Sequence, residues 1–191
     1  MARPLSFDPA AALDRAMILF WERDYERVSI QDLTEALRVN RPSLYAAFGD
    51  KETLYLRVLQ RYRERHGARL LAVMQSAPPG RAAIAALFER IKHSFVAPAS
   101  PPGCLLMNAM IDWVDGGPVS ELLRNCEDEF RRAIREAVAE GQRQGEISPA
   151  KNPDALARFL MTNLKAISIE ARASRDTSAV GDLADQIVLS L

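Results

Sequence analysis

Apolar residues return at helical intervals along almost the whole of this chain, and that period constrains its fold more than any other feature. Leu13, Ala16, Met17, Phe20 and Trp21 stand at i, i+3, i+4, i+7 and i+8. The same offsets join Ile84, Leu87, Phe88, Ile91 and Phe95, then Val119, Leu122, Leu123, Cys126, Phe130, Ala133 and Ile134, then Leu156, Phe159, Leu160, Asn163, Leu164 and Ile167. Nearly every segment follows this period rather than the alternation of a strand, so the expected fold is all-α. Clusters of Pro, Gly, Ser and Asp around 76–80, 97–103, 115–118, 145–153 and 174–178 end helices and divide the chain after residue 76 into about five of them.

Before residue 77 the helical units are unequal. A first helix of about four turns is expected from Asp8 to Asp24, with Asp8 as its cap and Pro9 in its first turn. Two short helices follow, near Ser29 to Leu37 and Arg41 to Phe48, and then a long one from Asp50 to about Gln75. Two short helices set between longer ones is the anatomy of a helix-turn-helix unit.

The stretch NRPSLYAAFGDKETL, beginning at Asn40, shows what the second short helix is for. Asn40 caps it, and Pro42 sits in a first turn whose amides have no intrahelical partner. Leu44 and Phe48, four residues apart, turn to the core. Arg41, Pro42, Ser43, Tyr45, Ala46 and Ala47 therefore lie on or beside the exposed side. Small residues let the backbone approach a major groove, Ala or Pro touches a thymine methyl, Arg41 suits guanine, and Ser43 and Tyr45 suit phosphates. Asp50 caps the next helix, which places Lys51 and the first amides where a phosphate can sit. Each residue alone also fits a tight corner in an ordinary helical core; together with Ser29 they favour DNA.

Net charge does not make this argument. The chain has 25 basic and 25 acidic side chains, and residues 1 to 65 hold 11 and 10 of them, so any nucleic-acid role must be local. Cys104 and Cys126 are the only cysteines, neither in a CxxC pair nor near a histidine, which suits a reducing cytoplasm and no zinc site. The amino terminus lacks an apolar signal-peptide region and no later apolar run approaches membrane-spanning length, so a cytoplasmic, soluble protein without membrane contact is expected. P-loop, GxGxxG, GxSxG and HExxH patterns are absent, and His66 and His93 have no acid-base partner nearby in sequence. Neither a catalytic set, a metal site nor a cofactor is expected.

The segment VSIQDLTEALRVNRPSLYAAFGDKETLYLRVL resembles the DNA-binding region of the TetR/AcrR family of transcriptional regulators. The resemblance implies an amino-terminal DNA-binding domain at 1–52 and a helical ligand-binding and dimerisation domain at 53–191, about nine helices in all. It implies a homodimeric repressor on a palindromic operator, released by a small-molecule inducer. Phosphate contacts then fall on Ser29, Ser43, Tyr45 and Lys51, and base-edge contacts on Arg41, Pro42, Ala46 and Ala47. Two departures matter. Arg38 occupies the usual turn glycine, so that turn is expected to be strained or reshaped. Ala46 and Ala47 replace bulkier side chains, which gives more weight to Arg41 and to Arg3 on an arm reaching the minor groove.

The resemblance also implies a small-molecule cavity, for which Tyr62, His66, Phe88, Phe95, Cys104, Met107 and Trp113 are the candidates; aromatic and Met residues at helical spacing equally suit plain core. Cys104 opens a helix in a Gly-Cys-Leu motif, where the dipole favours a thiolate; a buried structural cysteine is the other reading. The dimer's four-helix bundle falls on the last two helices, with Phe159, Leu160, Leu164, Ile167, Val180, Leu183 and Ile187 as candidates, although part of each stripe must pack internally. A helical small-molecule-binding or scaffold protein that never touches DNA is the alternative.

Overall fold

A computed structural model describes residues 7–113, 116–174 and 176–191. The described residues form α1 (Pro9–Arg27), α2 (Ile30–Leu37), α3 (Arg41–Phe48), α4 (Lys51–Tyr62), a π turn (Arg63–Gly67), α5 (Ala68–Ser76), α6 (Arg81–Ser94), α7 (Leu105–Asp112), α8 (Gly117–Arg143), α9 (Pro153–Ser174) and α10 (Thr177–Leu189). The segments α4, π turn and α5 run on as one rod over 51–76, so nine helical rods are present among the described residues. The expected all-α class and helix-turn-helix are both there.

The amino-terminal unit forms because its caps and its apolar stripe agree. Asp8 Oδ1 accepts from the Ala10 amide at 2.9 Å, and Asn40 Oδ1 accepts from the Ser43 amide at 2.8 Å. Ser29 and Asp32 cap α2 reciprocally, each side chain bonded to the other's backbone amide. Phe20, Val28, Leu33, Leu37, Leu44, Phe48 and Leu54 close the core beneath, all buried. A fully buried Leu or Phe stabilises the fold by about 1.5–3 kcal/mol, enough to hold two-turn helices that would not persist alone.

Two boundaries differ from expectation for a backbone reason. Helix α1 continues past Asp24, but Asp24 itself has φ 66° and ψ 164°, which breaks the regular geometry before a last turn to Arg27. The rod over 51–76 is interrupted by five residues of π-helix, which no apolar spacing announces. The Arg38 turn keeps the shape a glycine would give it: Arg38 takes φ 57° and ψ 45°, left-handed, and no compensating redesign of the turn is seen.

The rod joins the two halves. Near the middle, Arg61 donates from Nε to Asp14 Oδ1 at 2.6 Å and from Nη2 to Asp14 Oδ2 at 2.9 Å, and Arg65 adds a third bond of 2.6 Å, fastening the rod to α1. Further along, α5 packs on α6, while α8 and α9 pair along their length and α10 closes over α6 and α9. The interior contains Leu87, Phe88, Ile91, Ile134, Leu160, Leu164 and Val180.

Candidate functional site

Helix α3 presents a small, mostly exposed surface on a rigid seat. Leu44 and Phe48 anchor it, and Arg41, Pro42, Tyr45 and Ala46 are exposed while Ser43 and Ala47 are half-buried. Arg41 lies over the Tyr45 ring at 5.6 Å from its centroid and donates to the Tyr45 hydroxyl at 3.4 Å. The pair is thereby pre-arranged along one face. Arg57 Nη1 donates to the Ala47 carbonyl at 3.1 Å, bracing the end of α3 against α4. Ser29 is exposed at the start of α2, but its hydroxyl is engaged in the cap. Arg3 lies outside the described residues.

Lys51 is held more firmly than a free surface lysine. Its Nζ lies 4.0 Å from the centroid of the Tyr25 ring, a cation–π contact that fixes the first residue of α4 against the end of α1. Burial pushes its pKa below the ordinary lysine value, against the opposing pull of Glu26.

The seven expected cavity residues do not share one cavity. Tyr62, His66 and Phe95 line a cleft of about 220 Å³ between α1, the rod and α6. Cys104 lies beneath it: the Tyr62 hydroxyl donates to Cys104 Sγ at 3.5 Å. Trp113 belongs to a different cleft of about 480 Å³, walled by Phe20, Tyr25 and Tyr55 and by Asp24 and Asp112. Phe88 and Met107 line neither cleft and are packed in the core, because their positions on α6 and α7 face inward against neighbouring helices.

The Gly-Cys-Leu motif has a structural cause. Gly103 has φ 79°, and a Cβ there would stand 2.7 Å from Ser168 Oγ and 2.8 Å from the Ser168 carbonyl. Only glycine allows α7 to start this close to α9. Ser168 then supplies the missing cap, its Oγ accepting from the Cys104 amide at 2.8 Å and donating to Asn108 Oδ1 at 2.8 Å. Burial pushes the Cys104 thiol above its ordinary pKa, and this outweighs the lowering by Tyr62 and the helix amides. Of the two readings of Cys104, this geometry favours the buried structural cysteine over the helix-dipole thiolate.

The candidate dimer residues divide by face. Leu160, Leu164, Ile167, Val180 and Ile187 are buried within the protomer, where they pack α9 and α10 against α8 and α6. Phe159 and Leu183 point outward, 47% and 42% exposed, as do Ile169 and Leu189 at 50% and 68%. Sequence spacing marked the stripes without telling their inner edges from their outer ones.

Other residues were not read from the sequence as site candidates. Trp21, Arg69, Arg90 and His93 join Tyr62 and His66 around the smaller cleft, although they come from α1, α5 and α6. Arg172 on α9 reaches Asp24 and Asp112. Nothing in the spacing of these residues brings them together; only the packing of the rods does.

Comparison with known proteins places the whole chain. The sequence model described as "Bacterial regulatory proteins, tetR family" matches residues 12–58, and that described as "Tetracyclin repressor-like, C-terminal domain" matches 80–187. The chain is 36% identical over 175 residues to the HTH-type transcriptional repressor ComR of Escherichia coli (strain K12), covering 89% of this chain and 82% of that protein. It is 29% identical over 192 residues to an uncharacterized HTH-type transcriptional regulator, YezE, of Bacillus subtilis (strain 168), covering 97% and 96%. Among solved structures, a cysteine mutant of the TetR family transcriptional regulator CifR, complexed with 26bp double-strand operator DNA, superposes with a TM-score of 0.83 at 33% identity, covering 98% of this chain and 99% of that one.

Proposed function

The chain belongs to the TetR family and is a DNA-binding transcriptional regulator, not an enzyme, and on that premise we propose that it acts as a homodimeric repressor held on a palindromic operator until a small molecule releases it. The observation that carries the reading is the surface of α3: an exposed run of Arg41, Pro42, Tyr45 and Ala46 over the buried pair Leu44 and Phe48. A surface with one long cation and several small side chains suits close backbone approach with few direct base hydrogen bonds. Tyr45, Ser43 and Lys51 supply the phosphate side of the contact, and Ser29 sets the entry of α2. The complex of CifR with operator DNA supports operator binding by this chain as well.

Residues 1–52 form the DNA-binding domain in this reading and 53–191 the ligand and dimer domain, with the rod crossing the boundary. Two α3 helices related by a twofold axis then read half-sites about one helical turn apart. The outward residues of α9 and α10, Phe159, Ile169, Leu183 and Leu189, form the apolar centre of the dimer contact. No described helix is long and apolar enough to cross a membrane. The proposed role on DNA places the site of action in the cytoplasm. Fluorescence anisotropy with the duplex upstream of its own gene, across a salt series, tests the proposal. Specific binding should fall with salt along a slope set by the phosphates neutralised. Equal affinity for that duplex and for random DNA of the same length would sink it.

A further inference from the structure

The cleft of about 220 Å³ between α1, the rod and α6 has a charge pattern that nothing else in the site explains. Its lining includes Arg69, Arg90, His66 and His93 and no carboxylate. The guanidinium groups of Arg69 and Arg90 make no ion pair or hydrogen bond among the described residues, and both residues are exposed. The neighbouring Glu89, outside the lining, pairs with Lys92 and, at the rim, with His93 Nε2. Trp21, part of the wall, is buried, and its Nε1–H meets no acceptor among the described residues. A buried donor without an acceptor is an unfavourable arrangement, and a ligand acceptor would relieve it. The remaining wall is aromatic: His66 stacks on Tyr62 with ring centroids 4.5 Å apart and meets Trp21 edge-on at 5.7 Å, and Phe95 closes the side.

Resting on the reading of the chain as a ligand-released repressor, we propose that this cleft is the effector site and that it takes a small aromatic anion. Arg69 and Arg90 meet the carboxylate or phosphate, and the ring lies against the Trp21, Tyr62 and Phe95 wall. A volume of about 220 Å³ suits a single-ring molecule. Its position fits release. Trp21 is on α1, which packs on α2, and Tyr62 and His66 are on the rod that begins at Lys51. An anion drawing the basic groups of α5 and α6 toward this wall acts on both supports of the DNA-binding unit. The π turn, which sets His66 directly on Tyr62, is the point on the rod where such a shift can be taken up.

The test uses the full chain, with calorimetric titration of benzoate, phenylacetate and phenyl phosphate, each compared with benzyl alcohol and benzylamine. At least one anion should bind saturably, with the alcohol and the amine at least about tenfold weaker, as expected when a charge contact sets the preference. The double variant Arg69→Gln, Arg90→Gln should lose at least about tenfold of that affinity, and Arg69→Lys, Arg90→Lys should regain part of it. Both pairs lie at exposed positions, so their melting should stay close to the parent. Trp21→Phe, which keeps the ring and removes the N–H, should weaken binding severalfold. If no anion binds, if benzylamine binds as well, or if the glutamine pair binds like the parent, the assignment is wrong. Anion binding that leaves the operator complex intact would uphold the chemistry of the cleft and overturn its part in release. Failure to bind any operator, with the anion still bound, would overturn the repressor reading instead.

Discussion

Arg172 Nη2 donates to Asp24 Oδ1 at 2.6 Å, joining the end of α1 to α9 across 148 residues of sequence. Asp24 holds φ 66° and ψ 164°, a region in which glycine is ordinarily found and which costs other residues about 1–3 kcal/mol. The ion pair thus falls on a strained residue at the joint between the DNA-binding unit and the helix proposed for the dimer. Arg172 also approaches Asp112 at 3.4 Å, and burial together with the Asp24 carboxylate pushes the Asp112 carboxyl above the usual range. Removing the arginine leaves two carboxylates facing each other. Arg172→Ala should therefore cost about 1–3 kcal/mol, between an exposed and a buried pair. Asp24→Gly, which loses the pair but relieves the strain, should be nearly neutral. Urea unfolding decides it; equal losses from the two variants would show that the strain is not held by this contact.

Arg41 and Lys51 should fail differently. Arg41→Ala removes the one long cation on the exposed face of α3 and should weaken the cognate operator by about 1–3 kcal/mol, relaxing preference at one symmetric base pair. Lys51→Ala removes a charge beside the amides that open α4 and should weaken all duplexes alike, lowering the salt slope by about 1. Binding-site selection with each variant separates the two. An unchanged preferred sequence for Arg41→Ala would refute its base contact.

The turn between α2 and α3 offers a stabilising change. Arg38 sits exposed at φ 57°, where a Cβ is disfavoured by about 1–2 kcal/mol and glycine is not. Part of that gain is lost to the greater freedom of an unfolded glycine. Arg38→Gly should raise stability by about 0.5–1 kcal/mol, read as a higher urea midpoint at unchanged slope. A lower midpoint would mean that the Arg38 side chain makes a contribution its exposed position does not reveal.

The faces of α9 and α10 give the dimer prediction its form. Phe159→Glu with Leu183→Glu places charge on the outer face and should yield folded monomers, with operator affinity reduced at least about tenfold because half-sites are then bound singly. Leu160→Glu should instead destabilise the protomer by several kcal/mol, since Leu160 has no exposed surface and a carboxylate there has no solvent. Sedimentation velocity and circular dichroism report the two outcomes. A folded outer-face variant that still sediments as a dimer would move the contact elsewhere.

The fold was legible because its signals are local. Caps at Asp8, Ser29, Asn40 and Asp50 and stripes at helical spacing fix where helices begin and which residues face inward. The surface of α3 was legible for the same reason, since Leu44 and Phe48 settle its orientation within one helix. What lies between rods was not. Trp21 reads as one more apolar residue of its stripe, and only the approach of α6 sets Arg90 and His93 around the same cleft. Phe88 and Met107 have the residue types of a ligand wall, but their burial depends on which helix packs over them. Asp24 gives no sign in the sequence of its positive φ, and its partner Arg172 lies at the far end of the chain.

His66 gives the molecule a pH dependence whose sign follows from its surroundings. Burial lowers its pKa below the ordinary imidazole value of 6.5, and Arg69 and Arg65 on the same rod lower it further. Arg90 and His93 face the same cleft from α6, with Glu89 hydrogen-bonded to His93 at the rim. The folded state thus favours the neutral ring, and the unfolded state binds more protons as pH falls through 6.5. The stability this contributes is fully present above 6.5 and is lost as pH drops from there through the lowered folded value. His66→Gln should flatten the fall in melting temperature between neutral and mildly acidic pH. A bound anion has the opposite effect on the ring, because a negative charge in the cleft favours imidazolium. Parent protein saturated with an anion that binds there should therefore lose less stability on acidification than the free protein, and His66→Gln should reduce that difference. Identical acid profiles with and without the bound anion would show that the ligand's charge does not reach His66.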